Sequence, residues 1–333
     1  MTKPLLKLEN FQVHFHGLTG TITPVKGVDL TINEGEIVGL VGESGCGKSV
    51  TSQSVLRLLE HTANLSYEGQ VNFQGRNILT LNRHQLRQLR GKDIAIIFQE
   101  PMVSLNPVFT IGNQLEEVLL EHTPLTKKQR HHRVLELLGL MEIPDPSRCA
   151  KQYPHELSGG MQQRVMIAMA LACVPKLLIA DEPTTALDVT TQSQIIKLLQ
   201  KLNQELGMAI LFITHDLGLV ADICHRAEVM YLGEIVETAT GKDLFQTPKH
   251  PYTQGLLASL PSLQTPPKTA LPVIKGVVPS LTTPITGCAF ASRCPYATQK
   301  CREVVPPTRQ VSPTATSKCH YDIIGGRPHE AHT

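Results

Sequence analysis

The sequence contains no tryptophan, and aromatic residues make up only 4% of its 333 residues. Proteins that bind single-stranded nucleic acid stack the bases on aromatic side chains, so this composition argues against such a module. Charge is nearly balanced, with a formal net charge of +2. The composition therefore predicts no strong electrostatic field that would attract nucleic acid or acidic lipid.

Long apolar runs are also missing. The longest run, Val165–Val174, ends at Pro175 and is shorter than the roughly 18 residues that a membrane-spanning helix needs. The first ten residues lack the apolar core and the cleavage site of a signal peptide. We therefore expect a cytosolic chain, whose thiols stay reduced. Its eight cysteines then suggest metal binding or buried thiols more than disulfides.

A glycine-rich loop follows the apolar stretch Ile37–Val41 and fits the phosphate-loop pattern G-x-x-x-x-G-K-[ST]. In such a loop successive backbone N–H groups turn toward an anion. Lys48 can reach the β- and γ-phosphates of a nucleotide, and Ser49 can ligate Mg²⁺. The predicted nucleotide-binding residues are Gly42, Ser44, Gly45, Cys46, Gly47, Lys48, Ser49 and Val50.

A second apolar stretch, Leu177–Ala180, ends in two carboxylates, Asp181 and Glu182. Ligands of open α/β sheets collect at the carboxyl ends of strands. We expect Asp181 to hold Mg²⁺ through water, and Glu182 to polarise the attacking water as a general base.

The segment ELSGGMQQR (156–164), together with these two motifs, resembles the ATPase subunits of ABC transporters. Further elements of that family follow in the expected order: Gln99, then Ala186, Leu187 and Asp188, and finally His215. The resemblance covers roughly residues 5 to 260. It implies an α/β P-loop NTPase fold with an antiparallel β subdomain and with a helical subdomain at about residues 105–165.

The resemblance also implies how ATP is used. In the family, the segment that corresponds to residues 156–164 is the signature segment, and it contacts ATP held by the opposite subunit. The residues implied here are Leu157, Ser158, Gly159, Gly160 and Gln162. His215 would contact the γ-phosphate, and Gln99 the Mg²⁺ or the attacking water. One copy of each motif implies a second ATPase chain, identical or different. For adenine stacking, Phe15 and the position near Ile22 remain alternatives.

The region around residues 99 to 115 receives the membrane subunits in this family. Three apolar residues of this region would suit a docking surface for those subunits: Met102, Leu105 and Val108. The same residues could equally cover the hydrophobic core. Both interpretations remain open.

Four cysteines near the carboxyl terminus are spaced Cys288-x5-Cys294-x6-Cys301-x17-Cys319. Structural zinc sites favour closer pairs, disulfides are disfavoured in the cytosol, and the spacing does not match ferredoxin patterns. Residue patterns alone leave zinc and an iron–sulfur cluster open.

The segments HPYTQGLL, RCPYAT and SKCHY resemble the carboxyl-terminal extension of oligopeptide and dipeptide permease ATPases. This resemblance implies that the four cysteines hold a [4Fe–4S] cluster, with zinc as the alternative. It predicts an ATPase domain at residues 1–260 and a small cysteine-rich extension at residues 261–333.

The same resemblance implies a peripheral subunit at the cytoplasmic face of the cell membrane that hydrolyses ATP to drive dipeptide or oligopeptide import. The implied partners are a second homologous ATPase in a heterodimer, two membrane permease subunits and a periplasmic or lipid-anchored substrate-binding protein; no nucleic acid is expected. Importers of nickel, heme or antimicrobial peptides are alternatives. A soluble ABC ATPase of DNA repair or translation fits less well. Repair members carry a long coiled coil between the two nucleotide-binding motifs, and translational members carry two cassettes. This chain has one cassette and no heptads between Lys48 and Asp181.

Overall fold

The structure is a computed structural model that describes residues 3–18, 20–61, 63–99, 104–185, 187–260, 271–324 and 327–330. The strands are β1 (Pro4–Gly17), β2 (Gly20–Asn33), β3 (Ile37–Val41), β4 (Leu65–Phe73), β5 (Arg76–Asn77), β6 (Ile94–Ile97), β7 (Leu177–Asp181), β8 (Ala209–Thr214), β9 (Arg226–Tyr231), β10 (Glu234–Thr240), β11 (Arg309–Ser312), β12 (Ala315–Ser317), β13 (Tyr321–Ile324) and β14 (Arg327–Glu330). The α-helices are α1 (Lys48–Val55), α2 (Arg83–Leu89), α3 (Ile111–His122), α4 (Lys127–Leu140), α5 (Pro146–Cys149), α6 (Gly159–Leu171), α7 (Val189–Leu206), α8 (Leu217–Ile223), α9 (Gly241–Gln246), α10 (Pro251–Ala258) and α11 (Gln299–Glu303).

The chain forms two compact units. The first contains Met1–Leu5, Ile32–Ile37 and Thr80–Ile213, and the second contains Leu6–Thr31, Val38–Leu79 and Thr214–Thr333. A domain boundary is predicted between residues 260 and 261. Residues 261–270 lie outside the described part of the chain, so this boundary stays a prediction.

The first unit is built on parallel strand pairing. Strand β6 pairs with β7 in the register Ile94↔Leu177, and β7 pairs with β8 in the register Leu177↔Ala209. Every residue of β7 and β8 is buried. This burial accounts for the apolar runs 177–180 and 209–213, because parallel strands covered on both faces need no alternation with polar residues.

Helices α3 to α6 of the first unit pack on one another. Helix α3 begins at Thr110, whose side chain accepts the Asn113 N–H, and α4 begins with a capping box between Thr126 and Gln129. Their buried residues recur every three or four positions, which places them on one helical face: Ile111, Leu115 and Leu119 in α3, and Val134, Leu137 and Leu138 in α4. Helices therefore occupy the predicted helical segment.

The second unit contains an antiparallel sheet with the strand order β2-β1-β4-β5. Strands β1 and β4 pair in a register that sets Leu8 opposite Val71 and Val13 opposite Tyr67. Phe11 and Val13 are fully buried, whereas the residues between and beside them are partly exposed. The alternation in the sequence therefore marks a sheet with one covered face.

The second unit also contains the strand that precedes the glycine-rich loop. Strand β3 pairs in parallel with β9, and β9, β10, β12 and β11 then continue as antiparallel neighbours. Helix α10 begins at His250, whose Nδ1 accepts the Tyr252 N–H at 3.1 Å, and Pro251 occupies its first position. Part of the carboxyl-terminal region is thus an integral layer of this unit.

Among the residues that the structure describes, no helix combines the length and the apolar character that crossing a membrane requires.

Candidate active site

The glycine-rich loop of the second unit wraps around the ammonium group of Lys48. This group donates hydrogen bonds to the carbonyl oxygens of Gly42 at 2.8 Å and of Glu43 at 3.1 Å. Only 4% of Lys48 is exposed. These contacts place the positive charge of Lys48 beside the backbone of the loop. Ser44, Gly45, Ser49 and Val50 complete the predicted loop and are at least partly exposed, whereas Cys46 is buried.

Two glycines of this loop have no room for a side chain. A Cβ atom on Gly42 would lie 2.2 Å from the Met230 carbonyl oxygen, and one on Gly47 would lie 2.4 Å from the Pro24 carbonyl oxygen. Gly47 is the N-cap of α1 with φ 108°, a conformation that side chains disfavour. The close approach of two neighbouring backbone segments therefore explains both glycines of the pattern.

In the first unit, Asp181 and Glu182 lie at the carboxyl end of β7, with 2% and 9% of their surface exposed. Glu182 adopts φ 47°, a left-handed conformation that is uncommon for a residue other than glycine. Its Oε2 accepts hydrogen bonds from Gln99 Nε2 and from Thr185 Oγ1, each at 3.0 Å. Gln99 and Glu182, predicted from separate motifs, are thus in direct contact. Thr185 was not predicted, and no sequence signal distinguishes it.

The signature segment forms the start of α6. The Ser158 side chain accepts the Met161 N–H at 3.4 Å, and Ser158 and Gly159 are exposed. Gln162 is buried and donates to the carbonyl oxygens of Pro154 at 2.8 Å and Leu157 at 3.3 Å. The accessible start of the helix is therefore formed by Ser158, Gly159 and Gly160. The hydrogen bond between the buried residues Gln162 and Leu157 stabilises it.

One residue missed by sequence reasoning joins the signature helix to the segment after Glu182. Gln163 is 1% exposed, and its Nε2 donates to the Pro183 carbonyl oxygen. Gln163 follows Gln162 in an unremarkable polar pair, so only the fold reveals its different partner.

The remaining predicted site residues occupy loops. Asp188 is the N-cap of α7 and accepts hydrogen bonds from the Thr191 backbone N–H at 3.0 Å and hydroxyl at 2.7 Å, which lower the pKa of its carboxyl group. Leu187 is half-buried, and Ala186 lies outside the described residues. His215 follows β8 directly and is exposed.

The residues considered for adenine and for the membrane subunits have mixed exposure. Phe15 and Ile22 are half-buried in strands β1 and β2. Leu105 is buried, Val108 is 71% exposed, and Met102 lies outside the described residues. Leu105 thus belongs to the core and Val108 to the surface.

The carboxyl-terminal region contacts the glycine-rich loop within the second unit. The Glu43 N–H donates to the Tyr252 hydroxyl at 2.9 Å. The Glu43 carboxylate accepts two hydrogen bonds from Arg293, at 2.6 and 2.9 Å. No local pattern indicates this pair, because the two residues are 250 positions apart.

The four carboxyl-terminal cysteines line one small cavity, together with His250, Phe290, His320 and other residues. All four are free thiols, so the structure contains neither of the disulfides considered above. Among the described residues, no three His, Cys, Asp or Glu side chains lie close enough to hold a single metal ion. The predicted zinc alternative, in which four ligands surround one ion, is therefore not supported.

Burial raises the pKa of Cys288 to about 11 and that of Cys294 to about 12. The pKa of Cys319 is raised for the same reason. Neighbouring cysteines of the cavity raise the pKa values of Cys288 and Cys294 further. These thiols are therefore protonated at neutral pH unless a cation binds and displaces their protons.

Comparisons with known proteins agree with these motifs. Residues 25–185 match the family described as ABC transporter, and residues 236–301 match the family described as Oligopeptide/dipeptide transporter, C-terminal region. The second match includes Cys288, Cys294 and Cys301 and ends before Cys319.

Two similar curated proteins have named transport roles. The chain is 50% identical over 316 residues to the Dipeptide transport ATP-binding protein DppD of Haemophilus influenzae, and the match covers 95% of each chain. It is 46% identical over 330 residues to the Oligopeptide transport ATP-binding protein OppD of Bacillus subtilis, covering 98% of this chain and 92% of that protein.

The fold is similar to a solved structure described as "Dimeric structure of a post-hydrolysis state of the ATP-binding cassette MJ0796 bound to ADP and Pi". The TM-score is 0.63 at 33% identity, and the match covers 71% of this chain and 98% of that one.

Proposed function

The chain belongs to the ABC transporter ATP-binding proteins that carry the oligopeptide/dipeptide transporter C-terminal region, and we propose that it hydrolyses ATP to power peptide import. One observation carries this proposal: the similarity to dipeptide and oligopeptide transport ATP-binding proteins extends over 95% or more of the chain. It includes the carboxyl-terminal region, which a generic ATPase cassette does not need.

The loop from Gly42 to Val50 holds the ATP phosphates. Its backbone N–H groups and the start of α1 supply partial positive charge, and Lys48 leaves the Gly42 and Glu43 carbonyl oxygens to reach the β- and γ-phosphates. Ser49, Gln99 and Asp181 are the residues that would hold Mg²⁺. The ion would supply positive charge that offsets the negative charge developing during phosphoryl transfer.

Glu182 is the general base for the attacking water. Its carboxylate is nearly buried and is oriented by Gln99 and Thr185, which limits the positions it can adopt. His215 supports the γ-phosphate during the attack. A positioned base contributes about 10²- to 10⁴-fold to a rate, so Glu182 is the residue whose loss should affect turnover most specifically.

Two ATP molecules are sandwiched in a head-to-tail dimer, in which Ser158, Gly159 and Gly160 contact the nucleotide of the opposite subunit. The exposed helix start at Ser158 suits this role, because it presents N–H groups to an anion. Ala186, Leu187 and Asp188 would contact the opposite subunit between the two ATP sites. We propose a second, homologous ATPase as the partner.

The assembled transporter contains two membrane subunits and receives its cargo from a periplasmic or lipid-anchored binding protein. This chain is its peripheral subunit at the cytoplasmic face of the membrane. Closure of the ATPase dimer changes the access of the membrane subunits, and hydrolysis reopens it. The cargo is a dipeptide or oligopeptide; nickel, heme and antimicrobial peptides are the competing cargoes.

Uptake by the reconstituted transporter tests this function. The complex is purified with its partners from native membranes and placed in liposomes that contain ATP. Labelled dipeptide should accumulate with the wild-type chain, and Glu182→Gln should lower hydrolysis about 100-fold or more while ATP still binds. Glu205→Gln, which changes an exposed residue of α7, is the matched control. Uptake of nickel or heme but not of peptide would refute the cargo assignment, and unchanged hydrolysis by Glu182→Gln would refute the assigned base.

We also propose that Cys288, Cys294, Cys301 and Cys319 hold a [4Fe–4S] cluster. Their convergence on one cavity supports this proposal. Among the described residues, no three His, Cys, Asp or Glu side chains are close enough to hold one metal ion, so the proposal rests on the shared cavity alone. The cluster would tie together a region rich in loops.

Anaerobic purification tests the cluster. A brown protein with four irons and four inorganic sulfides per chain is expected, and Cys294→Ser should reduce the iron content. Cys149→Ser, a buried thiol away from the cavity, is the control. A colourless protein with one zinc ion per chain would contradict the proposal.

A further inference from the structure

Arg293 is a buried arginine that belongs to the carboxyl-terminal region and binds the glycine-rich loop. Its side chain is 4% exposed. Nη1 and Nη2 donate to the two carboxylate oxygens of Glu43 at 2.6 and 2.9 Å. Such a two-point arginine–carboxylate pair fixes both partners in distance and in orientation.

Further contacts hold the guanidinium group in place. Nε donates to the Lys275 carbonyl oxygen at 3.3 Å, and the group lies 5.8 Å from the centre of the Tyr231 ring. The hydrogen bonds to Glu43 are the largest cause that raises the pKa of Arg293 above its usual value. The guanidinium group is therefore positively charged at neutral pH.

Glu43 is itself a structural part of the loop. Its carbonyl oxygen accepts hydrogen bonds from Lys48 Nζ at 3.1 Å and from the Cys46 N–H at 3.3 Å. Its N–H donates to Tyr252. A displacement of Glu43 therefore moves the partner of the phosphate-binding lysine.

The backbone that carries Arg293 is a tight turn between two cysteines of the cavity. The N–H groups of Arg293 and Cys294 both donate to the Phe290 carbonyl oxygen at 3.0 Å, and the Ala291 N–H donates to the Cys288 carbonyl oxygen at 3.0 Å. Phe290 packs against Tyr231 and Tyr252 at ring distances of 5.2 and 5.3 Å. The turn is thus anchored beside the loop.

The charge of Glu43 is a problem for ATP binding. A carboxylate in the phosphate loop repels a triphosphate, and water screens this repulsion only in part because the Glu43 side chain is 28% exposed. Arg293 neutralises the carboxylate and holds it to one side. We propose that Arg293 is a positioning residue for ATP, which acts through Glu43 by holding its carboxylate to one side and cancelling its repulsion of the triphosphate. This inference rests on the proposed role of the loop from Gly42 to Val50 in ATP binding.

The extension thereby supplies a side chain to nucleotide binding. Arg293→Met leaves an unpaired carboxylate in the loop, whereas Glu43→Gln removes that charge and leaves Arg293 with an uncharged acceptor. The two single changes break the same ion pair, and yet only Arg293→Met should weaken ATP binding. A pair that only stabilised the fold would respond alike to both.

Titration of the full-length chain with a fluorescent ATP analogue tests the proposal. Arg293→Met should raise the ATP dissociation constant roughly tenfold, within the range of typical coupling between sites. Glu43→Gln should leave it unchanged or lower it, and the double variant should return to within about threefold of wild type. In the assembled transporter, Arg293→Met should raise KM for ATP and leave kcat near the wild-type value, because Glu182 is untouched.

A matched control comes from the same unit. Arg57 also donates two hydrogen bonds to a carboxylate, that of Glu60, at 2.6 and 3.0 Å, and Glu60 is as exposed as Glu43. Arg57→Met should leave the ATP dissociation constant unchanged. If Arg293→Met does not fold, Arg293→Lys keeps the charge without the two-point geometry and should still weaken ATP binding, although by less than tenfold.

Two results would overturn the proposal. The first is unchanged ATP binding by Arg293→Met, or by Arg293→Lys if only that variant folds. The second is a double variant that binds ATP as weakly as Arg293→Met, because Arg293 would then not act through the charge of Glu43. If the wild-type chain bound no ATP, the proposed function would fail instead, which is a distinct outcome.

Discussion

Gly47→Ala should destabilise the protein strongly, because the structure opposes a side chain there in two ways. The residue has φ 108°, and a left-handed conformation costs an alanine about 1 to 2 kcal/mol. The new Cβ would lie 2.4 Å from the Pro24 carbonyl oxygen, and overpacking of this kind costs about 1 to 3 kcal/mol. Together we expect a loss of about 2 to 5 kcal/mol in the free energy of unfolding.

The same substitution should also disturb the start of α1. Gly47 is its N-cap, and the Gly47 carbonyl oxygen accepts the Thr51 N–H at 2.9 Å. A shift of this residue would move the N–H groups that the helix start offers to phosphate. ATP affinity should therefore fall together with stability.

Two other glycines serve as controls. Gly45 has φ 79°, but its Cβ would meet nothing within 4 Å, so Gly45→Ala should show only the conformational cost of about 1 to 2 kcal/mol. Gly139 lies in α4 with open space around it, and Gly139→Ala should stabilise by about 0.5 to 1 kcal/mol. Urea titrations measure all three. The reasoning is refuted if Gly47→Ala is no less stable than Gly45→Ala.

Two further predictions concern carboxylates. Burial raises the pKa of Glu237 to about 7 from its usual 4.5, so the folded state holds this proton more tightly than the unfolded state. The free energy of unfolding should therefore fall by up to about 3 kcal/mol between pH 4.5 and pH 7. Glu237→Gln should flatten this fall in denaturant titrations, and an unchanged pH dependence of stability would contradict the raised pKa. Asp188→Ala removes the N-cap of α7 and should lower the free energy of unfolding by about 1 kcal/mol. Asp188→Asn keeps the hydrogen-bond acceptor and should lower it less. Equal losses of stability for the two variants would show that the capping hydrogen bond does not cause the loss.

Local patterns were enough to predict much of the fold. The apolar run AILFIT became strand β8 with the same bounds, Ala209–Thr214, because a strand buried on both faces needs no polar alternation. Ile195, Leu198, Leu199 and Leu202 lie on one buried face of α7, as their helical spacing indicated. In both cases the information lies within a few neighbouring residues.

The contacts that shape the site were beyond such reasoning. Arg293 and Glu43 are residue types that usually lie at the surface, and nothing in their local sequence shows that they meet across 250 positions. The left-handed conformation of Glu182 is likewise imposed by its surroundings, since its own side chain does not favour it. The motifs therefore supply candidate site residues from sequence alone, whereas the residues that contact them, such as Arg293 and Thr185, are visible only in the fold.

The pairing of β12 with β10 bears on how the protein could be shortened. Glu237 and Thr238 of β10 lie opposite Ser317 and Thr316 of β12, and the four-residue strand β11 follows as the outer neighbour. A chain cut after α11 would leave the backbone N–H and C=O groups of β10 uncovered, and an uncovered strand edge recruits strands from other molecules. Truncation at that point should yield a protein that self-associates, because β11 and β12 no longer cover the edge of β10.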